Sequence, residues 1–138
     1  MSVEAAIVEM ITESAAVTSL IDDRVYPNII PEDEDLPAIA YTEISGHNTR
    51  QTNNSTTGLV RARFQLTIMN NKANGGYSDL CDIRDAIRDL CVATRNTSSY
   101  ASVYIDHIEV STIDMPSLEP STTLYGKIID MLIYYREV

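Results

Sequence analysis

Residues 59–70 constrain the fold more than any other segment of the chain. Val60, Ala62, Phe64, Leu66 and Ile68 alternate there with Arg61, Arg63, Gln65, Thr67 and Met69. A strand turns successive side chains to opposite faces, so this period of two predicts a sheet with one face in a core and one face wet. An apolar sheet face needs a cover, and the cheapest cover is a helix with one apolar stripe.

Two segments supply such stripes. Over residues 3–14, Val3, Ile7, Met10 and Ile11 recur at helical spacing, with Glu4, Glu9 and Glu13 on the other side and Ser2 as a candidate N-cap. Over residues 77–92, Leu80, Ile83, Ile87, Leu90 and Cys91 form the stripe, and Asp79, Asp82, Arg84, Asp85, Arg88 and Asp89 form the solvated side. Ser78 or Asn74 is placed to cap that helix. A short helical turn is expected over residues 16–21.

The remaining segments read as extended. Arg24-Val25-Tyr26-Pro27 predicts a short strand closed by proline, and residues 38–45 a longer one rich in β-formers. Between them, Pro31 and Pro37 bracket Glu32, Asp33, Glu34 and Asp35, which predicts a solvated linker. Residues 46–58 are polar throughout and predict a long mobile connection or hairpin tip. Strands are expected over residues 100–114 and 122–136, broken between by Pro116 and Pro120. Ile128, Ile129, Leu132 and Ile133 put apolar side chains on both faces of the last strand, which predicts a central or doubly covered position. Strands joined without helical crossovers pair antiparallel. The expected fold is α+β: two layers, a mainly antiparallel sheet of about four to five strands, and two helices on one face, in a single domain over residues 1–138. The other sheet face, with Arg61, Arg63, Gln65 and several of the eight tyrosines, is left to meet another subunit.

Charge narrows the function. Ten Lys and Arg stand against twenty Asp and Glu, a net −10. A chain that grips nucleic acid must neutralise phosphates, and this one has the wrong sign. No apolar run reaches the roughly 18 residues that span a bilayer. The N-terminus lacks the basic start of a signal peptide, so folding in a cytoplasm is expected. Cys81 and Cys91 lie about 15 Å apart along one helix, too far for a disulfide, and read as buried small hydrophobes.

Chemistry finds no foothold. The two histidines, His47 and His107, lack metal-ligand spacing. On a strand Glu109 shares the face of His107 and Asp106 does not, so His107–Glu109 reads as a surface contact. The 32–35 acidic run lacks the spaced ligands and glycine of a calcium loop. Gly75-Gly76 precedes a helix without the lysine of a P-loop and reads as a plain turn. No catalytic residue, cofactor or metal is expected.

Several segments in order carry a resemblance. They are Ser2-Val3-Glu4-Ala5-Ala6, then Ala16-Val17 through Leu20-Ile21 to Asp23-Arg24-Val25-Tyr26-Pro27. Leu36-Pro37-Ala38-Ile39-Ala40-Tyr41 with Ile44-Ser45 follows, and then Arg61-Ala62-Arg63-Phe64-Gln65-Leu66. This succession resembles the tail completion, or tail terminator, proteins of long-tailed bacteriophages, best over residues 1–90. The resemblance implies a structural virion protein without catalytic residues, at the head–tail junction, assembled in the host cytoplasm. It implies a hexameric homo-oligomeric ring that caps the tail tube and ends its polymerisation. Its partners would be the tail tube protein and a head-completion or connector protein, with DNA passing through the ring unread and no membrane involved. Residues 96–138 are longer and more strand-rich than the family pattern. The alternatives are another head–tail connector (a neck adaptor or stopper), an unrelated acidic binding module, and a small enzyme. Candidate contact residues are Asn48, Thr49, Arg50 and Gln51 in the polar segment, and Arg61, Arg63 and Gln65 on the alternating strand.

Overall fold

The computed structural model describes residues 3–31, 35–50, 56–71, 76–101, 103–114 and 124–136. The elements run in the order α1 (Val3–Glu13), α2 (Ala15–Ile21), β1 (Val25–Pro27), β2 (Ala38–Arg50), β3 (Thr56–Asn71), α3 (Gly76–Ala93), β4 (Thr97–Tyr100), β5 (Val103–Asp114) and β6 (Leu124–Arg136). One six-stranded sheet takes the order β1-β2-β3-β6-β5-β4. Every neighbouring pair is antiparallel except β1 with β2, which is parallel. The fold is the expected α+β one. The sixth strand arises because the segment expected as one strand over residues 100–114 is preceded by β4, which folds back on β5 with Tyr100 opposite Val103.

The alternating strand behaves as its period demands. Phe64, Leu66 and Ile68 of β3 are fully buried, as are Ile129, Met131 and Ile133 of β6. They pack with Ile7, Met10 and Ile11 of α1, Val17 and Ile21 of α2, and Leu80, Ile83, Ile87 and Cys91 of α3. Each large aliphatic or aromatic side chain buried this way contributes about 1.5–3 kcal/mol. The helices therefore sit on one face of the sheet, and the third, short helix is the turn expected over residues 16–21. Gly76 opens α3 at φ +61°, a left-handed conformation that β-carbon sterics disfavour for other residues. Ser78 lies inside the first turn of α3 rather than before it, so it is not the cap, and Asn74 lies outside the described residues. Cys91 is buried as expected, whereas Cys81 is only half-buried.

Of the two readings of the polar segment, the structure shows the hairpin, with more of the segment in its strands than expected. β2 continues through Gly46 to Arg50, and β3 begins at Thr56. Most of what reads as a loop is a two-stranded arm, because backbone pairing with β3 satisfies main-chain groups whatever the side chains are. Register shifts between Glu43 and Ser45, and between Asn48 and Arg50, bend this arm. β6 takes the central place that its sequence predicts, between β3 and β5. Its outer face is only half-buried, at Ile128, Leu132 and Tyr134. Among the described residues no helix is long and apolar enough to cross a membrane.

Candidate assembly surface

The middle of the sheet face away from the helices is built by β3, β6 and β5, with β2 beside β3. The register sets it out in rows. Arg61 lies opposite Tyr134, which lies opposite His107; Arg63, Leu132 and Glu109 form the next row; Gln65, Asp130 and Ser111 form the third. The strand pleat thus puts Arg61, Arg63 and Gln65 along one side, Tyr134, Leu132 and Asp130 along the middle, and His107, Glu109 and Ser111 along the other side.

These groups are tied to one another. Arg63 Nη2 donates to Asp130 Oδ2 at 2.9 Å across the strands. The His107 ring stacks on Tyr134 with centroids 4.3 Å apart and planes 14° apart. Arg136 lies over the Tyr104 ring at 5.8 Å. His107 Nε2 is 3.8 Å from Glu109, the surface contact that strand parity predicts. Its Nδ1 is also 3.4 Å from Asp106, which strand parity puts on the opposite face. The cause is the register shift between Ile105 and His107, a bulge that interrupts the alternation there. A groove of about 390 Å³ runs between Arg63, Asp130 and Leu132 on one side and Glu109 and Ser111 on the other.

The charge of this face differs from that of the whole chain. Arg61, Arg63 and Arg136 balance Asp106, Glu109 and Asp130. The surplus of carboxylates sits elsewhere: Glu4, Glu9 and Glu13 on α1, Asp22 and Asp23 after α2, and Asp79, Asp82, Asp85 and Asp89 on α3. Of these, Asp22 is partly offset by Arg24 at 3.1 Å, and Asp85 and Asp89 by Arg84 and Arg88 at 3.0–3.8 Å.

The predicted contact residues fall in two places. Arg61, Arg63 and Gln65 share the open face of β3, with both arginines exposed. Asn48 and Arg50 belong to the arm, paired with Val60 and Thr56, and Thr49 sits at the register shift between them. Gln51 lies outside the described residues, as do Glu32, Asp33 and Glu34 of the acidic linker. The ladder brings Arg61 next to the arm, because its own partner on β2 is His47, one residue before Asn48.

One buried group escapes the sequence reading. Lys127 is 1% exposed on the core side of β6, where its Nζ donates to Tyr77 Oη at 2.9 Å and lies 4.7 Å from that ring. Its signal is a parity signal: Lys127 shares its strand face with Ile129, Met131 and Ile133. Asn70, also fully buried, donates through Nδ2 to the Gly76 carbonyl at 3.0 Å and fastens the start of α3 to β3. Among the described residues no group of three His, Cys, Asp or Glu side chains is placed to hold a metal ion.

The family model described as "Tail completion protein gp17" matches residues 5–110. The chain belongs to this family. It is a structural protein of the bacteriophage tail, as the succession of short motifs over residues 1–90 implied. The match ends within β5, so β6, which lies in the middle of the sheet, falls beyond it. No curated protein matches this tail completion protein. Among solved structures, a chain from the "Virion of native gene transfer agent (GTA) particle" has the same fold, with a TM-score of 0.65 at 11% identity. The alignment covers 96% of this chain and 91% of that one.

Proposed function

We propose that this protein is the tail terminator of its particle: a homo-oligomeric, hexameric ring that caps the finished tail tube, ends its polymerisation and offers the surface to which the head joins. It acts by assembly and not by catalysis. Family membership carries the reading, and the charge-balanced open face on an otherwise acidic subunit supports it. Like-charged subunits repel, so a contact between copies is least costly where charge cancels. Interfaces favour arginine and tyrosine with a half-buried apolar centre, which is the composition of the rows around Arg61, Tyr134 and Leu132. Asn48, Thr49, Arg50, Gln51, Arg61, Arg63 and Gln65 are the residues assigned to subunit and partner contact. The partners are the tail tube protein and a head-completion protein, and the place of work is the virion, after assembly in the host cytoplasm. DNA crosses the ring without being read, since acidic walls repel phosphates and do not hold them.

Electron microscopy of particles made without this protein tests the role. Tails of uncontrolled length, unattached to filled heads, are expected. Tails of normal length that fail only to join heads would move the protein to the neck. Normal particles would overturn the reading.

A further inference from the structure

The two outer strands of the sheet are each covered over only part of their length. β1 lies against β2 at Ile39, Ala40 and Tyr41, and the Asn28 amide adds one bond to the Tyr41 carbonyl at 2.8 Å. Beyond Tyr41, β2 runs on to Arg50 with β3 on one side and, among the described residues, no strand on the other. At the opposite edge, β4 meets β5 at Val103 and Ile105, and the Asn96 amide donates to the Asp106 carbonyl at 3.1 Å. From His107 to Asp114, β5 then continues paired with β6 and, among the described residues, with no other strand.

Open strand edges are templates for further strands, and proteins usually blunt them with proline, lysine or a bulge. Residues 107–114 carry neither proline nor lysine. Their register to β6 runs without a break from His107↔Tyr134 to Asp114↔Lys127. Glu109, Ser111 and Thr112 are exposed there. Residues 42–50 also lack proline and lysine, though they carry the two register shifts of β2, and Glu43, Ile44, Ser45 and Gly46 are all exposed, Ile44 by 46%.

The two gaps are complementary. Three antiparallel steps separate β2 from β5, so the two strands run in opposite directions. The open part of β2 lies at the end of the sheet where β5 begins, since Asn48 pairs with Val60, Val60 with Tyr135, and Tyr135 with Ile105. The open part of β5 lies at the other end. A second copy displaced along the strands therefore brings its gap to this one: β4 of the first copy then stands beyond the Arg50 end of the second copy's β2, and β1 of the second copy beyond the Asp114 end of the first copy's β5.

We infer that residues 42–50 of one protomer add antiparallel to residues 107–114 of the next, joining copies edge to edge into one continuous sheet. This rests on the ring reading above and names the contact that closes the ring. The occupant is a second copy and not an unrelated peptide, because one chain carries both halves of the junction at diagonally opposite corners. The shifts between Glu43 and Ser45 and between Asn48 and Arg50 bend the donor edge. A sheet that closes on itself needs strands staggered by a fixed amount, which a displaced junction supplies.

Hydrogen–deuterium exchange on the assembled chain, compared with the dispersed chain, tests this. Assembly is followed by light scattering across protein and salt concentration. Outward amides of residues 42–50 and 107–114 are expected to gain protection on assembly. Adjacent strand residues send their amides alternately to β6 and outward. Of Ser111→Pro and Thr112→Pro, one therefore loses a ladder bond with β6. The other loses only an outward N–H, and it is expected to keep the thermal melt of the parent while losing the multimer. A multimer whose two edge segments exchange as fast as in the dispersed chain overturns the edge junction and leaves the ring standing. A chain that stays dispersed under every condition overturns both.

Discussion

Burial alone sets the chemistry of Cys91. Its thiol is enclosed by the core, with Sγ 3.7 Å from Met131 Sδ, and desolvation pushes its pKa from 9.0 to about 12. Above pH 9.0 the unfolded chain releases this proton and the folded chain keeps it. The folded state then binds more protons, so stability falls as pH rises through the window from 9.0 to about 12. Tyr41 acts in the same direction at higher pH, raised by burial and by the Glu4 carboxylate. Urea midpoints measured across that window should decline in the parent and decline less steeply in Cys91→Ala, whose starting stability is lower because of the cavity. An equal slope in both would show that the thiol is not the titrating group. Burial of Cys91 is legible from the helical stripe of residues 77–92; Cys81 follows Leu80 about 100° round the helix, off that stripe, and its half-exposure is what the stripe implies and the residue type alone overstates. Lys127 was not legible in the same way. A lysine on a strand normally marks the wet face, and only its parity with Ile129 and Met131 betrays the core position.

Strand β3 separates stability from assembly by side. Phe64 is fully buried, and truncating it to alanine should cost about 3–5 kcal/mol of folding free energy. Its neighbour Arg63 is half-exposed and paired with Asp130; truncating it should cost under about 1 kcal/mol, since exposed ion pairs contribute little. Chemical denaturation of Phe64→Ala and Arg63→Ala checks both values, and near-equal losses would contradict the two-faced reading of the strand. At this scale the sequence is a good guide wherever side chains decide. The stripes of α1 and α3 and the alternation of β3 match the structure almost to the residue. It is a poor guide where backbone pairing decides. The arm after Gly46 has no apolar residue to announce a strand, yet β3 pairs it through to Arg50. The bulge at Asp106 likewise has no side-chain signature, so the second carboxylate beside His107 was unreadable in advance.

Over the whole molecule, a net charge of −10 on a chain of this size opposes crowding of copies. Screening should relieve that opposition, because the Debye length falls from about 10 Å at 0.1 M salt to about 3 Å at 1 M. Light scattering is therefore expected to show multimers gaining population as salt rises. A multimer already stable at low salt and micromolar concentration would show that self-repulsion does not hold the copies apart. The diagonal placement of the two open edges has one more consequence. A junction between unlike edges makes every copy point the same way, so a ring built from it has a rotation axis but no two-fold across it. Such a ring has polarity. Its two rims expose different residues although every subunit is identical, so a single gene product can turn one chemistry toward a tube below and another toward a container above.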